Sequence, residues 1–182
     1  MVHLNNIPYK TILFVLFTAM FGLFSGQSLA KPIVQEAQVI KVHDGDTVTL
    51  RLNGKFLKTR LIGIDAPEMM QRPWGKKAKE HLIDLLNHTD WTVLVETDVV
   101  KRDKYNRLLA YLWTKQKELI NEKMVLNGYA VLFTIPPNVK FVDRFTRAEQ
   151  QARQAKKGIW GPKGLKEKPL KYRELHPRKE IR

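Results

Sequence analysis

Asp44-Gly45-Asp46-Thr47 sets two carboxylates two residues apart. Asp-Gly is a strong turn pair, and an ordinary turn between strands accounts for the motif on its own. Two carboxylates this close repel, however, unless a cation sits between or beside them. Hard oxygen donors of this kind suit calcium. A second group lies in residues 60–68, RLIGIDAPE. Arg60 falls inside an apolar run, in step with Phe56, Ile62 and Ile64, so a carboxylate or a substrate phosphate should lie opposite it. Asp65 closes the run and can complete an oxygen site with Asp46, while Pro67 stiffens the turn that aims Glu68. A structural ion pair at the strand end explains the same residues. The third group, Asp103-Lys104-Tyr105-Asn106-Arg107, reads alone as a solvated basic loop. Together the three supply what phosphodiester hydrolysis requires: oxygens for a metal, cations for the phosphoryl charge, and a carboxylate to handle water.

These residues must be positioned by short strands and a few helices. Residues 38–42 are β-rich, and 47–52 alternate with Val48, Leu50 and Leu52 on one face. Asn53-Gly54 then signals a hairpin. Residues 56–64 carry apolar side chains at both parities, which predicts a strand covered on both sides. Further strands are expected over 91–95 and 108–113, and helices over 75–86 and 118–127, the second stopped at Gly128. Phe141, Phe145, Ala148, Ala152 and Ala155 recur at helical spacing, and Gly158 ends that run. The pattern is that of an α+β, mainly β domain: a five-stranded OB barrel flanked by three helices.

Composition narrows the setting. The chain has 32 Lys+Arg against 18 Asp+Glu, a formal net charge of +14, and no cysteine. Disulfide frameworks, thiolate metal sites and a cysteine nucleophile are excluded, and a polyanionic partner is favoured. Residues 11–24 are mostly apolar, too short for a membrane span but suited to the core of a secretory signal, with Ser28 and Ala30 at the −3 and −1 cleavage positions. A cleaved signal over residues 1–30 is therefore expected, giving an exported protein, periplasmic or secreted, with no stable membrane span after cleavage. Residues 31–37 form an N-terminal segment and 38–161 the domain. Residues 162–182, with eight basic and three acidic residues and three prolines, are expected to be a mobile basic tail. His43, His81, His88 and His176 make no compact ligand pattern.

HDGDTVTL, TRLIGIDAPE and KRDKYNRLLAYLW, in that order, resemble the staphylococcal (micrococcal, thermonuclease) nuclease family, and the closing KKGIWG resembles the end of its domain. The likeness runs from about Gln38 to Gly161. It implies an OB barrel with three helices, one Ca²⁺ per domain, and endo- and exonucleolytic cleavage of DNA and RNA with little sequence preference, leaving 3′-phosphate ends. By position it makes Asp46 and Asp65 the carboxylate calcium ligands, Ala66 the donor of a backbone carbonyl, and Asp44 an outer carboxylate. Arg60 and Arg107 match the catalytic arginines, Glu68 the carboxylate that orients or deprotonates water, and Lys104 and Tyr105 the contacts to a terminal phosphate. Asn106 replaces a glycine of the best-known member; asparagine tolerates left-handed backbone, so the turn is expected to survive. Near Phe133 no counterpart is visible to two nucleotide-contacting tyrosines. The expected partners are DNA and RNA, met by a monomer. The contrasting readings are a noncatalytic nucleic-acid-binding barrel and a surface-attachment protein using its basic tail.

Overall fold

The computed structural model describes residues 34–177; the expected signal segment lies outside them. Five strands close a barrel in the order β1-β2-β3-β6-β5, formed by β1 (Val34–Val42), β2 (Thr47–Leu52), β3 (Lys55–Leu61), β6 (Leu108–Trp113) and β5 (Thr92–Glu96). This is the expected OB-type barrel. All neighbours are antiparallel except β3 and β6, whose parallel pairing sets Arg60 opposite Leu109 and closes the ring. β4 (Gly63–Asp65) and β7 (Val131–Phe133) make a separate two-stranded sheet. Among the described residues, four α-helices accompany the barrel: α1 (Trp74–Asn87), α2 (Ile120–Leu126), α3 (Val142–Gln154) and α4 (Pro169–Leu175), with a short 3₁₀ turn at Gly158–Trp160.

The alternation of β2 does what its sequence dictates: Val48, Leu50 and Leu52 point inward with Val39, Val93, Val95, Ala110 and Leu112. Asn53 and Gly54 both take positive φ in the turn to β3, as a tight hairpin turn of this hand requires. Ala78, Leu82 and Leu86 of α1 and Ile120, Met124 and Val125 of α2 join the same core. A second cluster joins Ile62, Tyr111, Leu119 and Phe145, which ties α3 to β6 through Tyr111. Buried Asn121 ties these layers together, accepting from the Leu112 N–H at 3.0 Å and donating to the carbonyls of Ile62 and Ala110 at 2.9 and 3.3 Å. Asn121→Leu would take the side-chain partner from the Leu112 N–H and the Ile62 carbonyl, each costing about 1–3 kcal/mol, while the Ala110 carbonyl keeps the Ile62 N–H at 3.0 Å. We expect a loss of about 3 kcal/mol, read by urea denaturation; a loss under about 1 kcal/mol would show that the groups re-pair.

Four expectations are corrected here. The barrel begins at Val34, inside the stretch read as an N-terminal segment: Val34 pairs with Glu96 of β5, but only Ala37, Val39 and Val42 of β1 face inward, so residues 34–36 show no apolar pattern. The run 56–64 is two strands, because Gly63 at φ +81° turns the chain between them. Its first half is not covered on both sides; Phe56 is 66% exposed and Lys58 is exposed too, while Leu57 and Thr59, which alternate with them, are partly and fully buried. Finally, residues 169–175 are not part of a free tail but form a fourth helix against the domain.

Candidate active site

The acidic turn lies at one mouth of the barrel because its backbone is tied at both ends. His43 N–H donates to the Thr47 carbonyl at 2.9 Å, and Leu61 N–H donates to the Asp46 carbonyl at 2.9 Å. A Cβ on Gly45 would come within 2.7 Å of the Cβ atoms of Ala66 and Ala78, so the side-chain-free residue lets this turn lie directly on the end of β4 and on α1. Asp46 is thereby buried, and its Oδ2 accepts the Ala66 N–H at 2.7 Å. Asp44 sits behind it, accepting the Asp46 N–H at 3.0 Å.

Arg60 meets the carboxylates that its place in an apolar strand demanded. Its Nη1 lies 2.9 Å from Asp46 Oδ2, and its Nη2 lies 3.0 Å from Asp65 Oδ1. Burial nevertheless pushes the Asp46 carboxyl up to about 7; Arg60 opposes the shift, while Asp44 and Asp65 add to it. The mouth thus gathers three carboxyl groups, Asp44, Asp46 and Asp65, around Arg60. Its donors are all oxygen, the chemistry of a hard divalent cation. Among the described residues no group of three or more His, Cys, Asp or Glu side chains forms a ready-made metal cage. A cation held here would take Asp46, Asp65 and the Ala66 carbonyl and complete its shell with water, so the residues present fit the group.

Arg107 immediately precedes β6, two positions before Leu109, the register partner of Arg60. Asp103 organises this loop. Its Oδ1 accepts the backbone N–H groups of Tyr105 and Arg107, each at 2.9 Å, and its Oδ2 accepts Arg107 Nε at 2.7 Å. Burial alone would raise the Asp103 carboxyl, but these bonds and the Arg107 charge outweigh it and hold it below the usual range. Asn106 takes φ +60°, as expected of the residue standing in for glycine. Tyr105 is 69% exposed, with Lys104 Nζ and the Arg107 guanidinium 5.1 and 5.6 Å from its ring centre. Two cations and an open aromatic face are thus presented together. Phe133, at the end of β7 opposite Gly63, is only partly buried.

Glu68 follows β4 by three residues. Its N–H donates to Gln71 Oε1 at 2.9 Å, which fixes the backbone that carries the carboxylate. Arg173 of α4 reaches the same place from the far end of the chain, with Nη1 at 3.0 Å from both Asp65 Oδ1 and Glu68 Oε1, and Nη2 at 2.9 Å from Asp65 Oδ2. Sequence reading missed Arg173 and Gln71. No local spacing marks either one; the only available signal was Pro169 opening the short segment PLKYREL, as proline often opens a helix.

An OB barrel with an arginine set among crowded carboxylates at one mouth is the architecture of a class of phosphodiester-hydrolysing proteins. The chain belongs to the staphylococcal nuclease family: the family model described as "Staphylococcal nuclease homologue" matches residues 58–162. Among its relatives, the thermonuclease of Staphylococcus hyicus is 36% identical over 158 residues, spanning 82% of this chain and 89% of that protein. The thermonuclease of Staphylococcus intermedius is 35% identical over 131 residues, 67% of this chain and 74% of its own. Endonuclease YncB of Bacillus subtilis is 34% identical over 128 residues, covering 66% and 59%.

Proposed function

We propose that this protein is a calcium-dependent nuclease that hydrolyses phosphodiester bonds of DNA and RNA with little sequence preference, leaving 3′-phosphate ends. The observation that carries the reading is the juxtaposition of Arg60 with Asp46 and Asp65 at the barrel mouth, beside Glu68. Asp46, Asp65 and the Ala66 carbonyl would hold Ca²⁺, with Asp44 behind them. The chemistry a bound Ca²⁺ supplies is charge on a phosphoryl oxygen and a more acidic water. Arg60 and Arg107 donate charge-assisted hydrogen bonds to the phosphoryl oxygens, and these bonds strengthen as charge gathers in the transition state. Glu68 holds the attacking water in line and accepts its proton. Lys104 and Tyr105 hold the terminal phosphate, Lys104 by charge and Tyr105 by its exposed ring and hydroxyl. The excess of basic residues draws the polyanion toward the mouth. Export through residues 1–30, and action as a monomer, complete the proposal; calcium-rich surroundings suit a site with few carboxylates.

The test is cleavage of single-stranded DNA in millimolar Ca²⁺ and again in EGTA. We expect chelation to reduce the rate at least a thousandfold, with products that polymerase extends only after phosphatase treatment. Undiminished cleavage in EGTA would overturn the calcium assignment.

A further inference from the structure

Asp65 takes guanidinium groups on both of its oxygens. Its Oδ1 accepts from Arg60 Nη2 and from Arg173 Nη1, each at 3.0 Å, and its Oδ2 accepts from Arg173 Nη2 at 2.9 Å. An ionised carboxylate offers about four lone-pair sites, and here three are taken by guanidinium N–H groups. Arg173 also takes Glu68 Oε1, the second carboxylate the reaction needs. A guanidinium laid across both oxygens of Asp65 stands where a cation ligated by that residue would have to approach, and its like charge opposes that approach. One side chain therefore covers a metal-binding carboxylate and the water-handling carboxylate together.

We propose that Arg173 competes with the divalent cation for Asp65 and Glu68, so that the segment 163–176 is a strap that must lift from the mouth when the site is loaded. The proposal rests on the calcium reading of the site and adds a residue and a regulatory step to it. The way the strap is held agrees with a reversible contact. Gln71 Nε2 donates to the Glu167 carbonyl at 2.9 Å, while the same amide's oxygen holds the Glu68 N–H, so strap and carboxylate share one tether. Trp74 Nε1 donates to the Lys163 carbonyl at 3.2 Å, and Leu165 N–H to the Ile159 carbonyl at 3.0 Å. α4 itself has seven residues and buries only Pro169. A helix this short is marginal without tertiary support. The Arg173 ion pairs are therefore a main part of what docks it. An arginine does not give up its proton in a protein, so the strap lets go by exchange of cations.

Calcium titration of the full-length protein by calorimetry tests this, comparing wild type with Arg173→Ala. Lys171→Ala is the control: it removes one charge from the same helix, where Lys171 pairs with Glu174 at the surface, and so reads the long-range electrostatic part. Coupling between two ligands of one site commonly spans about 5- to 150-fold. We expect Arg173→Ala to bind Ca²⁺ about tenfold more tightly than Lys171→Ala; a gain under fivefold, or a loss, overturns the proposal. The second readout is digestion of wild type by a lysine-specific protease, scored at Lys166 and Lys171. Ca²⁺ is expected to speed these cuts at least fivefold as the strap lifts, and unchanged or slower cutting overturns it. Equal calcium binding by all three proteins removes the exchange alone, whereas no binding by any of them removes the calcium reading as well.

Discussion

Arg107→Ala is expected to lower the turnover of single-stranded DNA by about 10³- to 10⁵-fold, the range an arginine commands in phosphoryl transfer. The substitution is clean because of how Arg107 is held. Its guanidinium pairs with Asp103, and Asp103 keeps its bonds to the backbone N–H groups of Tyr105 and residue 107 when the side chain is truncated. The turn should stand and the phosphate should lose one donor. Arg60→Ala is a poorer probe, since it strips the counter-charge from buried Asp46, while Asp65 keeps Arg173. Leaving buried charge uncompensated costs about 3–5 kcal/mol, so lost activity would be mixed with lost fold. The measurement is kcat at saturating substrate and Ca²⁺, beside a melting curve. An Arg107→Ala protein within tenfold of wild type, melting normally, would remove Arg107 from the chemistry.

What the sequence made legible follows from where the signal is local. β2 and β6 coincide with their expected spans because β2 alternates against one core and β6 runs apolar between two clusters. The buried stripe Phe145, Ala148 and Ala152 of α3 is the one its helical spacing implied. The acid–arginine cluster was legible as well: an arginine in an apolar strand must find an anion, and Arg60 finds two. Two features were not legible. β7 is three residues long and pairs with β4 far away in the chain, so no periodicity announces it. The contact of Arg173 with Asp65 spans 108 residues and depends on a segment whose composition shows only charge and proline. Composition describes how such a stretch is solvated when alone; it is silent on a partner of opposite charge that the fold delivers.

Charge placement also explains why the strap reading and the catalytic reading do not conflict. Asp44, Asp46, Asp65 and Glu68 bring four acidic groups to one mouth, and Arg60 and Arg173 answer them with two cations. A divalent cation added beside Arg60 replaces the charge of Arg173 and exceeds it. The mouth can therefore release Arg173 on loading and still hold less net negative charge than before, which favours the approach of an anionic phosphodiester.

Gly63→Ala is expected to be the most damaging small substitution at the barrel flank, costing about 2–5 kcal/mol. Two effects add. Gly63 has φ +81°, where a residue with a Cβ pays about 1–2 kcal/mol. The added carbon would also lie 2.2 Å from Cε2 and 2.6 Å from Cδ2 of Phe145. Phe145 is fully buried between Tyr111 and its neighbours and has little room to turn aside, and overpacking of this kind costs about 1–3 kcal/mol more. Against a typical total of about 5–15 kcal/mol, the loss is severe. It also reaches function, because Gly63 is the bend between the strand that carries Arg60 and the strand that ends in Asp65. Urea denaturation gives the stability. Phe145→Leu in the same chain separates the two causes: removing ring atoms relieves the overlap but leaves the backbone strain. The double variant should therefore be more stable than the sum of the two single losses by about 1–2 kcal/mol, a coupling of the size seen between residues in contact. Simple additivity would show that Phe145 is not what the new methyl group strikes, and a single-variant loss under about 1 kcal/mol would show that the bend does not need glycine.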